Sequence, residues 1–212
     1  HFNPTKMIDT ILKYFTLTDK QKQQFEQIGN LYPEWNAKIN VISRKDIDNL
    51  WVNHILHSLA IAKFINPVTG TTFLDMGTGG GFPGIPLAIM WPECKLHLID
   101  RIGKKIKVAQ DIAQQIGLDN VTFQHGDIGE CRNTYDFVVS RAVMRLDELL
   151  PLIKKNVSRT SRNAYPNGLI CLKGGDLSSE LHGIKNPVIE EPLNRYFDEP
   201  FFETKKLIYV QI

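Results

Sequence analysis

The spacing of apolar and polar positions divides the chain in two. Residues 4–66 carry only the helical period. From Asp19 to Trp35, Phe25, Ile28, Leu31 and Tyr32 fall on one side, and Pro33 marks a bend or break near the end. From Asp46 to Ile65, the stripe Ile47, Leu50, Trp51, His54, Ile55, Ser58, Leu59 and Ala62 predicts a second helix with one buried side. Asn66-Pro67 closes it. From residue 71 the pattern becomes short apolar runs alternating with helical ones. Strands are predicted at Thr72–Asp75, Lys95–Asp100, Val121–Phe123, Tyr135–Ser140 and Gly168–Lys173, with a final pair near Val188–Tyr196 and Lys206–Gln211. Helices are predicted at Lys104–Ile116, ended by Gly117, at Leu146–Val157 and at Asp176–His182. The polar stretch Ser158–Asn167, ending in Pro-Asn-Gly, reads as a mobile loop.

Alternating strands and helices imply an α/β fold: a mostly parallel sheet with right-handed crossovers and an antiparallel pair at one edge. The expected organisation is a helical extension over 1–66 packed on a sheet-containing core over 67–212. Composition does not alter this. The chain has 212 residues, 42% hydrophobic and 23% charged, an ordinary globular balance. Cys94, Cys131 and Cys171 are scattered, without metal or disulfide spacing. No apolar run approaches the ~20 residues that span a bilayer, and no secretory leader pattern opens the chain. A cytoplasmic, monomeric protein without metal or membrane partner is the expectation. A net charge of +2 is too small to establish a nucleic-acid partner by itself.

The chemistry concentrates where the first strand ends. Asp75-Met-Gly-Thr-Gly-Gly-Gly-Phe-Pro-Gly84 places a carboxylate before a turn with four glycines and the start of a helix. Strand, glycine turn and helix in that order form the ligand-binding corner of an open α/β sheet. The spacing Gly79-x-Gly81-x-x-Gly84 also fits a dinucleotide site. Asp75 favours a methyl donor over a dinucleotide, because it would repel a pyrophosphate, which favours backbone N–H groups. A ligand with an ammonium and a sulfonium gains from it, and S-adenosylmethionine carries both.

Two further carboxylates, Asp100 and Asp127, end the next two strand units. Asp100 suits a ribose diol, since one carboxylate accepts two hydrogen bonds. Asp127 suits the adenine amino group, with the Ile128 and Gly129 backbone along the ring edge; Phe82, Ile102 and Ile128 are candidates for its apolar walls. Asp100 and Asp127 also fit helix N-caps or turns. His54 and His57 lack companions at metal-ligand spacing and read as packing or surface residues.

These motifs together place the chain in a family. Asn40-Val-Ile-Ser43, His54 with Ser58-Leu59, Asp75 to Pro86, Asp100-Arg-Ile-Gly-Lys-Lys105, Ser140-Arg-Ala142 and Leu172-Lys-Gly174 run in the family's order. The chain resembles the bacterial guanine-N7 methyltransferases of small-subunit (16S) ribosomal RNA, the glucose-inhibited division protein B family. The resemblance implies a class I, Rossmann-like methyltransferase fold with a seven-stranded sheet and a helical N-terminal extension. It implies S-adenosylmethionine as cofactor, donor contacts at Gly77, Phe82, Ile128, Gly129 and Arg141 beside Asp75, Gly79, Asp100 and Asp127, and 16S ribosomal RNA or the small-subunit particle as partner. Two positions depart from the family pattern: Asn53 stands where an arginine is usual, and His57 where an aspartate is usual.

Guanine N7 carries a free lone pair, so methylation there needs positioning more than a general base. Arg141 and Lys173 are the catalytic candidates, as groups that hold guanine O6 and a nearby phosphate. Arg101, Lys104, Lys105 and Lys107 form one basic run, and Lys154, Lys155, Arg159 and Arg162 a second; either can face RNA or only solvent. A methyltransferase of the same fold acting on a small molecule or protein, a nonenzymatic donor-binding sensor and, more distantly, an NAD enzyme are the alternatives.

Overall fold

The period-two alternation of the strands sorts the core into two layers around one sheet. The computed structural model describes residues 7–141 and 143–212. The predicted start of the helical region at residue 4, and Ala142 of the Ser-Arg-Ala motif, lie outside the described residues. The N-terminal part contains α1 (Asp9–Leu12) and α2 (Asp19–Asn36), then a 3₁₀ turn (Ile47–Asn49), a π-helical stretch (Leu50–Leu56) and α3 (His57–Phe64). The core follows as β1 (Thr72–Met76), α4 (Gly84–Met90), β2 (Lys95–Asp100), α5 (Gly103–Gln115), β3 (Val121–His125), β4 (Phe137–Arg141), α6 (Leu146–Ile153), β5 (Gly168–Gly174), α7 (Ser178–Leu181), β6 (Val188–Pro192) and β7 (Lys205–Gln211).

The sheet has seven strands in the order β3-β2-β1-β4-β5-β7-β6. The first five pair in parallel, and β7 runs antiparallel to both β5 and β6. On one face Phe73, Phe137, Val139, Ile170, Leu172, Leu207 and Tyr209 pack with the N-terminal helices, α4 and α5. On the other face Leu74, Val138, Leu169, Cys171, Ile208 and Val210 pack with α6 and α7. Both faces are covered, as a parallel sheet requires. The predicted edge hairpin forms with an added step: β7 inserts beside β5 and leaves β6 at the edge, so the antiparallel strand reaches the ligand end of the core.

The N-terminal helices are fastened to that core. Thr18 and Gln21 make a reciprocal capping box at the start of α2. The Gln21 amide also donates to the Ile89 carbonyl (3.1 Å), the Gln24 amide to the Ile116 carbonyl (3.0 Å), and the Trp35 indole to Asp111 (2.8 Å). Pro33 does not end α2, which runs on to Asn36. Asn36 then organises the next loop, accepting from the Val41 and Ile42 N–H groups and donating to the Ile42 carbonyl.

Three expectations change. The helix expected over 46–65 is a 3₁₀ turn, a π-helical stretch and an α-helix in series. Leu50, Trp51, His54, Ile55, Leu56 and His57 are all buried, more than one α-helical stripe accommodates, and the wider turn presents them to α2 and the sheet together. Strand β6 stops at Pro192, and residues Leu193–Arg195 turn away as 3₁₀. The 158–167 loop is pinned. Arg162 donates to Asp136 (2.7 Å) and to the Gly70 carbonyl (2.9 Å), Asn163 accepts from the Val68 N–H (2.8 Å), and Tyr165 stacks on Phe64.

Gly29 of α2 faces the Trp51 ring so closely that a Cβ would lie 2.4 Å from its Cζ2. Helix preference alone would make Gly29→Ala stabilising by about 1 kcal/mol, whereas overpacking costs about 1–3 kcal/mol. The expected outcome is a lower urea midpoint. A higher midpoint would show that Trp51 yields and that this contact does not fix the extension.

Candidate functional site

The glycine turn is held from within. Asp75 is fully buried, and its Oδ2 accepts from the Thr78 hydroxyl (2.6 Å) and from the Gly84 N–H (2.8 Å), joining the beginning and end of the turn. A side chain at Gly84 would lie 2.6 Å from Leu98 Cγ and 2.8 Å from the Asp75 oxygen, so the carboxylate approaches only glycine. Gly77 has φ of 72°, which reverses the chain as it leaves β1. At the end of β2, Asp100 accepts from the Gly79 N–H and from the Ile102 N–H, both at 2.8 Å. From α2, the buried Tyr32 hydroxyl donates to the Gly80 carbonyl (2.8 Å), and Val41 packs over Gly80. Burial pushes the Asp75 carboxyl up to about 7, against the opposing hydrogen bonds of Thr78 and Gly84 and the charge of Arg141. Among the described residues its Oδ1 has no hydrogen-bond partner.

A cavity of about 370 Å³ opens at the carboxyl ends of β1, β2 and β3. Gly77, Asp100, Ile102, Asp127 and Ile128, all named from the sequence, converge on it, and Arg101, Val143, Met144 and Leu152 are among its other lining residues. Gly79 sits behind Asp100, and the Gly129 N–H donates to Asp127 (3.1 Å), so Asp127 caps its own turn while lining the cavity. Phe82 is absent from this wall. It is buried on the far side of the turn, 4.6 Å from the Tyr32 ring and 5.5 Å from His54. The apolar plates are Ile128, Ile102 and Leu152, the last two unusually exposed for large apolar residues. Leu152 was not legible as a site residue, because an apolar residue on the outer side of α6 has no partner in the local pattern. Lys155, read in the sequence as part of a basic run facing RNA or solvent, instead donates its ammonium to the Ile128 (3.3 Å) and Gly129 (3.4 Å) carbonyls and braces that wall.

Arg141 ends β4 on the side of the N-terminal helices. It donates to the Asn53 carbonyl in the π-helical stretch (3.3 Å), and its guanidinium lies 5.4 Å from the Phe82 ring centre. Lys173 points the other way. It is buried in an ion pair with Glu180 (2.9 Å) and donates to the Met144 carbonyl, so the two expected catalytic residues lie on opposite faces of the sheet. Burial, aided by Arg141, drives the His54 pKa down to about 4 and lowers that of His57. Both are neutral packing residues at physiological pH, with His57 against Phe201 and Phe202. Of the basic runs, Arg101 borders the cavity. Arg162 is drawn to Asp136 at the opposite ends of the strands, away from the cavity. Among the described residues no cluster of three or more His, Cys, Asp or Glu could hold a metal, and no helix is long and apolar enough to cross a membrane.

The cavity suits an adenosyl ligand. Each Asp100 oxygen retains an acceptor position beyond its backbone bond, the apolar plates match a flat base, and the volume lies in the range of small-molecule sites. Sheet order, glycine turn and strand-end carboxylate define a class I S-adenosylmethionine-dependent methyltransferase. The chain belongs to the rRNA small subunit methyltransferase G family, which it matches over residues 21–189. A Bacteroides thetaiotaomicron protein named ribosomal RNA small subunit methyltransferase G is 57% identical over 206 residues, covering 97% of this chain and 100% of that one. Its namesake from Porphyromonas gingivalis is 52% identical over 206 residues, covering 96% and 93%. Among solved structures, magnesium protoporphyrin IX methyltransferase from Synechocystis with bound SAM superposes with a TM-score of 0.57 at 17% identity, over 93% of this chain and 99% of that one. A SAM-dependent methyltransferase from Aquifex aeolicus gives 0.56 at 17%, over 81% and 100%. At that identity these two structures speak to the fold alone.

Because folding raises the Asp75 pKa, the folded protein holds a proton that the unfolded chain releases near pH 4. The stability from protonated Asp75 is complete below that pH and is lost as pH rises to about 7. Asp75→Asn keeps a carbonyl oxygen for Thr78 and Gly84 but does not titrate. Relative to Asp75→Asn, wild type is expected to lose about 3–4 kcal/mol between about pH 4 and 7 and to run parallel above, measured by urea unfolding across pH. Parallel curves throughout would refute the assignment.

Proposed function

We propose that this enzyme transfers a methyl group from S-adenosylmethionine to N7 of a guanine in 16S ribosomal RNA of the small subunit. The observation that carries the reading is the family match over residues 21–189, and the chemistry of the acceptor side supports it. The bound donor supplies an electrophilic methyl group. The protein's residues have then to bind, orient and exclude water. Asp100, Asp127 and the apolar plates hold the adenosyl end, and the turn braced by Asp75 and Tyr32 sets the position of the rest.

No proton leaves guanine N7 on methylation, so the acceptor side requires no general base. The groups beside Arg141 match that demand: His54 and His57 are neutral and buried, and Asp75 is engaged with the turn. Arg141 makes one long bond to a backbone carbonyl, which leaves most of its fork for a carbonyl such as guanine O6. In this reading Lys173 is a positioning residue. By holding Glu180 and the Met144 carbonyl it fixes the segment that carries Val143 and Met144 against the cavity. Folded ribosomal RNA, which exposes unpaired bases, is a substrate suited to such a site.

A primer-extension or mass map of ribosomal RNA from cells with and without the gene is expected to lose one N7-methylguanine in 16S RNA. An unchanged map would overturn the reading. In vitro, Arg141→Lys keeps the charge but loses the planar fork. It is expected to slow methylation at saturating donor roughly 100-fold, a loss larger than any change in donor affinity measured by calorimetry. Undiminished methylation would remove Arg141 from the acceptor site.

A further inference from the structure

The register of the sheet brings an additional cation to the acceptor side. Lys205 opens β7 and pairs across the ladder with Gly174, the last residue of β5, while Lys206 pairs with Lys173. Side chains alternate between faces, so Lys206 and Lys173 share the face covered by α7, and Lys205 stands on the face of the N-terminal helices. Arg141 shares that second face, as its contacts with Asn53 and Phe82 show. Arg141 pairs with Leu172, and Leu172 with Leu207. Lys205 is therefore two strands across from Arg141, roughly 10 Å, and two residues closer to the rim.

The three lysines at this corner differ in their partners. Lys173 is paired with Glu180 at 2.9 Å and Lys206 with Glu190 at 2.9 Å. Among the described residues Lys205 has no carboxylate partner; its ammonium lies 4.8 Å from the centre of the Phe201 ring. Its stem crosses Gly174, where a side chain would meet Lys205 Cδ at 3.3 Å and Nζ at 3.4 Å. The glycine of the Leu172-Lys-Gly174 motif thus provides the passage for a lysine thirty-one residues later in the chain.

The geometry assigns Lys205 a substrate-positioning role: it contacts a phosphate of the RNA backbone beside the nucleotide that Arg141 holds. This deepens the proposed function and rests on it. A cation without a carboxylate partner among the described residues, set beyond a half-buried guanidinium on the same face, fits a nucleotide whose base lies inward and whose phosphate lies toward the rim. Lys173, expected from the sequence to take such a phosphate, is already engaged on the other face.

The test measures binding to 16S ribosomal RNA across a potassium chloride series, with methylation kinetics and donor calorimetry, for wild type, Lys205→Met, Lys205→Arg and Lys206→Met. One lost phosphate contact lowers the slope of log affinity against log salt by about 0.7–0.9. The affinity gap between wild type and Lys205→Met is then expected to narrow about threefold from 50 to 200 mM salt. The KM for RNA should rise, donor affinity should be unchanged, Lys205→Arg should restore the slope, and Lys206→Met should behave as wild type. A wild-type slope in Lys205→Met, or an equal loss in Lys206→Met, would overturn the assignment. Wild-type protein that fails to methylate the RNA would instead overturn the functional reading beneath it.

Discussion

The buried carboxylate of Asp75 is the constraint on which the site depends. A turn with so many glycines has wide backbone freedom, and little in its own side chains would select one conformation. Asp75 makes the selection by spending one oxygen on both Thr78 and Gly84, while Asp100 fixes Gly79 from the neighbouring strand. The arrangement is costly, because a buried carboxylate resists ionisation and its second oxygen has no partner among the described residues. Arg141 opposes that resistance with its charge. The residue proposed to hold the acceptor thereby also favours the ionised form of the group that shapes the donor turn.

The N-terminal helices follow from the same constraint. They form part of the outer clamp on the turn: Tyr32 reaches the Gly80 carbonyl and Val41 covers Gly80. Asn36 holds the loop that carries Val41, which gives the Asn40-Val-Ile-Ser43 motif a physical role. The π-helical stretch supplies the Asn53 carbonyl to Arg141. Glycine turn, Arg141 and N-terminal helices thus form one connected unit, with Lys173 and Glu180 bracing the cavity from the opposite layer.

Much of this was legible in local pattern. The parallel strands, the α5 helix and the ligand end of the sheet follow from periodicity, since one buried face imposes a period on a short window of sequence. Gly77, Asp100, Asp127 and Ile128 line one cavity because strand ends converge in any open α/β sheet. Phe82 lies on the other side of the turn from this cavity, because its direction depends on backbone angles across the turn that residue types do not encode. The loop at 158–167 looked mobile because Arg162, Asn163 and Tyr165 find partners near residues 64–71 and 136, far away in the chain.

By itself the sequence determined the fold class, the donor corner and, through its motifs, the family, because these rest on residue types at fixed short spacing. Only the tertiary structure decided which charges are available. Lys173, Lys205 and Lys206 look alike in sequence, yet strand register sends two of them to glutamates on separate elements and leaves the third on the face of Arg141. Asp75 likewise reads from the sequence as a ligand carboxylate, and the structure adds that its buried Oδ2 holds the turn through two hydrogen bonds. Charge is a property of residue type; its direction, partners and hydration come from contacts between segments far apart in the chain.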